Sequence, residues 1–155
     1  MIDRYVLLAE DNPNDAELTI AALRERNMVC PIHRVADGEE ALDFLHRRGA
    51  YEGRSDGPPA LILLDLKMPK INGIELLRAI KQDPVLRVIP VVMLTSSREE
   101  ADLAHCYASG ANAYVVKPVE FDEFMKTVGE LGLFWGLVNE PAPHAGPGAA
   151  GPARE

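Results

Sequence analysis

Acidic, hydroxyl and basic side chains stand at the ends of this chain's short apolar runs. Glu10 and Asp11 follow Tyr5-Val6-Leu7-Leu8-Ala9, and Asp65 follows Leu61-Ile62-Leu63-Leu64. Thr95, with Ser96 and Ser97 behind it, follows Val91-Val92-Met93-Leu94, and Lys117 follows Tyr114-Val115-Val116. If those runs lie side by side, three carboxylates, a hydroxyl and an ammonium meet on one rim. Carboxylates packed together repel one another. With one lysine the set sums to -2, which a divalent cation neutralises. Hard oxygen ligands and a partly hydrated ion suit Mg²⁺ rather than zinc. A metal with open positions can also hold a phosphate, leaving further phosphate oxygens to the lysine and the threonine hydroxyl. Such a site favours in-line phosphoryl transfer through positioning and charge. A carboxylate at its centre is suited to act as a nucleophile and form an aspartyl phosphate.

The elements needed to bring these residues together are legible. The four runs are too short for typical helices, and each is continuously apolar, as strands covered on both faces are. A fifth run, Ile32-His33-Arg34-Val35, alternates and fits an edge strand. Helical patterns lie between them. Asn12 is placed to cap the first, with Pro13 at its first position and Leu18 and Ala22 at helical spacing. The second carries Ala41, Leu42 and Leu45; the third carries Ile74, Leu77 and Ile80 and ends before Pro84. A fourth is expected from about Arg98 to Gly110, and a fifth carries the stripe Phe121, Phe124, Met125, Val128 and Leu131. Five alternating strand–helix units predict an α/β fold, a doubly wound parallel sheet with helices on both faces. Ligand sites of such sheets form at the carboxyl ends of the strands, where the residues above fall.

Composition sets the limits. With 155 residues the chain is long enough for one domain with a substantial core. A net charge of -8 argues against nonspecific binding to nucleic acid or to an anionic membrane. No apolar run approaches the ~20 residues that span a bilayer, and Met1-Ile2-Asp3-Arg4 does not open a secretion signal. Cys30 and Cys106, far apart, read as plain thiols in a reducing cytoplasm. Residues 1–138 are expected to form the domain. Residues 139–155, of which 12 are Pro, Gly or Ala, are expected to be a disordered tail with no room for an output domain. The loop from Arg48 to Pro59, with three glycines and two prolines, is expected to be functional or flexible.

In their order, these residues resemble the receiver domains of two-component response regulators. The resemblance rests on Glu10-Asp11, on Asp65 in Leu64-Asp65-Leu66-Lys67-Met68-Pro69, on Gly73, on Thr95-Ser96, and on Ala113-Tyr114-Val115-Val116-Lys117-Pro118. It covers roughly residues 3 to 135. It implies a flavodoxin-like sheet of order 2-1-3-4-5. It also implies that Asp65 accepts phosphate from a histidine kinase, and that Mg²⁺ is held by Asp11, Asp65 and the backbone carbonyl of Lys67, with Glu10 acting through water. Thr95 and Lys117 would contact the phosphoryl group, and Tyr114 would be the aromatic switch. The receiver would catalyse its own phosphorylation and dephosphorylation without being an enzyme on other substrates. Many receivers carry Asp where this chain has Glu10. The side chain of Lys67, two residues after the acceptor, is at a position that tunes dephosphorylation.

A further likeness, to stand-alone regulators that partner phytochrome-type light-sensing kinases, rests on four stretches. They are the long loop ending Gly57-Pro58-Pro59, Leu86-Arg87-Val88-Ile89-Pro90, Phe134-Trp135-Gly136-Leu137-Val138 and the acidic helix start Asp11-Asn12-Pro13-Asn14-Asp15. It implies a homodimer through the face of the fourth helix, fifth strand and fifth helix and the segment near Trp135. Trp135 fits either that interface or a cap on the core. The output is open between transfer to a phosphotransfer protein, a switched binding face and a phosphate sink. Two other classes fit the residues less well. An aspartyl-nucleophile phosphatase wants a second Asp where Lys67 stands. A binding module without phosphorylation has no use for the whole constellation. His33, His46, His105 and His144 share no ligand spacing and read as ordinary surface or core residues.

Overall fold

The computed structural model describes residues 4–24, 30–95 and 110–132. Ser96 and Ser97, the expected fourth helix with His105 and Cys106, the segment around Trp135 and the expected tail with His144 lie outside the described residues. So does much of the expected dimer face.

Five strands form one parallel sheet of order β2-β1-β3-β4-β5. They are β1 (Val6–Ala9), β2 (Ile32–Val35), β3 (Leu61–Asp65), β4 (Val91–Thr95) and β5 (Ala113–Val116). All residues of β1, β3 and β4 are buried, as continuous apolar runs require. Side chains alternate between two cores, one on each face of the sheet. Leu7, Ile62, Leu64 and Met93 join one core with α2 (Gly38–His46) and α3 (Gly73–Gln82). Val6, Leu8, Leu63 and Leu94 join the other with α1 (Pro13–Leu23) and the last helix (Phe121–Glu130). The doubly wound expectation is met, with β2 and β5 at the edges.

Helix ends follow local chemistry. Asn12 Oδ1 accepts from the Asp15 N–H and starts α1, with Pro13 in its first turn. Asn72 and Glu75 close a reciprocal capping box on α3. One expectation is overturned. Leu18 does not belong to the buried stripe of α1 but is 63% exposed. The start at Asn12 sets a phase in which Ala16, Thr19 and Leu23 face the sheet.

The Arg48–Pro59 loop is tied down rather than loose. It contains a 3-10 turn at Gly49–Tyr51. The Arg54 guanidinium lies 3.9 Å from the centre of the Phe44 ring and donates to the Phe44 carbonyl and to the Tyr5 hydroxyl. The Tyr5 hydroxyl in turn donates to the Gly57 carbonyl at 2.6 Å. Only 9% of the Arg54 side chain is exposed, so its bonds form where water competes poorly. His33 belongs to the same cluster, stacked on Phe44 at 4.5 Å. Among the described residues no helix is long and apolar enough to cross a membrane. Arg54→Ala is expected to cost about 1–3 kcal/mol in urea unfolding and to speed hydrogen exchange between Arg48 and Pro59 ahead of the sheet.

Candidate functional site

Register brings the chemistry-bearing residues to one edge. Ala9 is level with Leu64, so Glu10 and Asp65 leave adjacent strands side by side. Asp65 is level with Leu94, and Thr95 with Val116, which places Thr95 and Lys117 next along the same rim. The Lys117 N–H donates to the Thr95 carbonyl at 2.8 Å. Glu10, Asp11 and Asp65 each present an oxygen within 4.8 Å of the others.

Glu10 is 1% exposed and Asp65 is 5% exposed, so two carboxylates are buried beside a third. Lys117 reaches across from β5. Its Nζ lies 3.0 Å from Glu10 Oε1 and 3.0 Å from Asp65 Oδ1. Burial pushes the Asp65 carboxyl from its ordinary 3.8 up to about 6; the Lys117 hydrogen bond pulls down, and Glu10 and Asp11 add to the rise. For Lys117, burial works to lower the value, but the hydrogen bonds to Glu10 and Asp65 outweigh it and raise it. The lysine is therefore charged at neutral pH, while Asp65 ionises only at a cost. An acidic cluster with one buried ammonium, still short of positive charge, suits a hard divalent cation.

Thr95 is buried at the end of β4. Tyr114, half-buried in β5, packs against the core beneath α3 and lines a shallow cavity of about 230 Å³ with Val116, Glu123 and Lys126. Lys67 is exposed in the loop after β3 and shares an open cavity of about 470 Å³ with Asp11, Met68 and Pro69. Gly73 explains itself: a Cβ there would lie 2.4 Å from the Asp65 carbonyl oxygen, so only glycine lets α3 start against the end of β3.

Two residues were not singled out from the sequence as parts of the site. Arg34 donates to the Glu10 carbonyl through Nε at 3.0 Å and Nη2 at 2.8 Å, and to the Asp11 carbonyl at 3.2 Å. It clamps the acidic turn from β2, a partnership between distant segments that no local spacing signals. Asp15 Oδ2 lies 3.1 Å from Lys117 Nζ. Its place four residues beyond Asp11 was visible; its partner was not.

The family model of the response regulator receiver domain matches residues 6–129. The chain belongs to the response regulator receiver family. The receiver is 38% identical over 139 residues to the probable methanogenesis regulatory protein FilR2 of Methanothrix harundinacea, covering 89% of this chain and 88% of that protein. Response regulator Rcp1 of Synechocystis is 37% identical over 132 residues, covering 85% of this chain and 88% of Rcp1. A solved Mn(2+)-bound form of Rcp1 has a TM-score of 0.70 at 36% identity, over 90% of this chain and 99% of that one. The solved bacteriophytochrome response regulator AtBRR has a TM-score of 0.80 at 53% identity, over 88% of this chain and 98% of that one. The receiver is thus related to phytochrome-associated regulators.

The raised Asp65 value has a thermodynamic sign. Folding lifts this group's pKa, so the folded state is favoured by it below the unfolded value of 3.8 and loses that advantage as pH rises to about 6. In divalent-free buffer Asp65→Asn should exceed the native protein in stability above about pH 6, by on the order of 1–3 kcal/mol, with the difference fading below pH 4. Thermal melts across that range check it.

Proposed function

We propose that the receiver is a phosphorylation switch in which Asp65 takes a phosphoryl group from the phosphohistidine of a histidine kinase. An Asp65 carboxylate oxygen attacks phosphorus, the phosphorus–nitrogen bond breaks, and its electron pair returns to the imidazole, which is then protonated. Hydrolysis later restores the carboxylate. What carries this reading is the buried Asp65 with its Oδ1 at 3.0 Å from a charged lysine and two further carboxylates beside it.

Glu10, Asp11, Asp65 and the backbone carbonyl of Lys67 would hold Mg²⁺, with Glu10 acting through water. Bound there, the cation supplies the positive charge that lets three carboxylates and a phosphoryl group stand together. Lys117 offers its ammonium to a phosphoryl oxygen and Thr95 its hydroxyl to another, so both hold charge that is absent before transfer. The exposed Lys67 side chain lies where water would approach and bears on the lifetime of the acyl phosphate. Tyr114, two residues before Val116, the sheet partner of Thr95, is suited to report movement of Thr95 to the outer face of β5 and the last helix. The likeness to phytochrome-associated regulators supports a photosensory kinase as the donor and a homodimer, in a cytoplasmic setting, with the switched face as the output. Passage of phosphate to a phosphotransfer protein, or a role as a phosphate sink, is the alternative output.

Asp65→Asn should abolish labelling from acetyl phosphate with Mg²⁺, read by intact-protein mass. Lys117→Ala should lower the yield without abolishing fold. Labelling of Asp65→Asn to the native extent would overturn the assignment.

A further inference from the structure

The ammonium of Lys117 has three carboxylate partners, and the proposed chemistry accounts for two of them. Glu10 and Asp65 belong to the buried cluster. The third, Asp15 Oδ2 at 3.1 Å, comes from the first turn of α1. Its placement is deliberate in the sequence: Asn12 caps the helix through the Asp15 N–H at 3.0 Å, and Pro13 fixes the turn between them. The Asp15 side chain is 42% exposed, against 1% for Glu10. It lines an open cavity of about 260 Å³ with Leu18, Thr19, Lys117, Pro118 and Val119, on the solvent side of the lysine.

An ammonium has three N–H donors, and all three are taken at 3.0, 3.0 and 3.1 Å. A phosphoryl group on Asp65 would place its oxygens beyond Oδ1. To meet them Nζ must shift and lengthen at least one of its other two contacts. Leaving Glu10 uncovers a buried charge, which is costly. Leaving Asp15 hands a half-exposed carboxylate to water, which costs little. We propose that Asp15 is a positioning residue that holds Lys117 in the unphosphorylated receiver and yields it to the phosphoryl group, so that it restrains phosphoryl binding at Asp65. The inference rests on Asp65 being the acceptor. It differs from the plain alternative, in which an acid in the first turn only steadies α1 through the helix dipole.

The test uses the full chain with Mg²⁺ and beryllofluoride, which mimics the phosphoryl group on a carboxylate. Binding is followed through the amide resonances of Thr95 and Lys117. Asp15→Asn keeps the size of the side chain and removes its charge; it should bind beryllofluoride about two- to fivefold more tightly, the span expected for a half-exposed ion pair. Asp15→Glu restores a carboxylate and should return the affinity toward native. Glu17→Gln removes an acid from the exposed face of the same helix and should leave the affinity unchanged. In the resting protein the Lys117 Cε resonance should move in Asp15→Asn and stay in Glu17→Gln. Unchanged or weaker binding by Asp15→Asn overturns the inference and leaves Asp65 as acceptor. Equal tightening by Glu17→Gln overturns it in favour of net charge. No uptake by the native protein overturns both the inference and the acceptor assignment.

Discussion

Lys117 holds together carboxylates that would otherwise push the ends of the strands apart. β5 is separated from β3 by β4, and from β1 by two strands. Only a long side chain spans that distance, and only a charged one compensates Glu10 and Asp65 where water scarcely reaches them. The parallel sheet makes the encounter unavoidable, because it delivers every strand's carboxyl end to the same edge. Its two apolar cores, one on each face of the sheet, hold those strand ends in place.

The compensation is incomplete. Three carboxylates lie near one another, and Lys117 is shared with a fourth, Asp15. The Asp65 carboxyl carries the deficit as a pKa raised to about 6, with burial the leading cause. The supporting contacts do not relieve it. Arg34 spends its hydrogen bonds on the Glu10 and Asp11 carbonyls, fixing the backbone of the turn rather than covering its side chains. The result is a site whose framework is settled and whose charge is not, which is the physical condition for taking up a cation and a phosphoryl group.

Much of this was legible along the chain because it is local. Continuous apolar runs marked the strands, Asn12-Pro13 marked a helix start, and the position of each polar residue after a run marked the rim. Contacts that join distant segments were not legible. Arg34 read as one residue of an alternating edge strand, yet it braces the turn some twenty residues before it. Leu18 had the right spacing for a buried stripe, but spacing leaves phase undetermined, and the cap at Asn12 decided for Ala16, Thr19 and Leu23. The glycines and prolines of residues 48–59 suggested looseness. The outcome turned on Arg54, whose partners Tyr5 and Phe44 belong to other elements.

Gly73 gives Asp65 an uneven mechanical setting. The start of α3 presses on the Asp65 carbonyl so closely that a single methyl would not fit between them. On that side Asp65 stands against an anvil. On the other side stands the lysine stem, four torsions long and able to lean. Around Asp65 a fixed neighbour on β3's own backbone thus stands beside a movable one reaching in from β5, so the strand end is stiff while the charge that meets its carboxylate can shift.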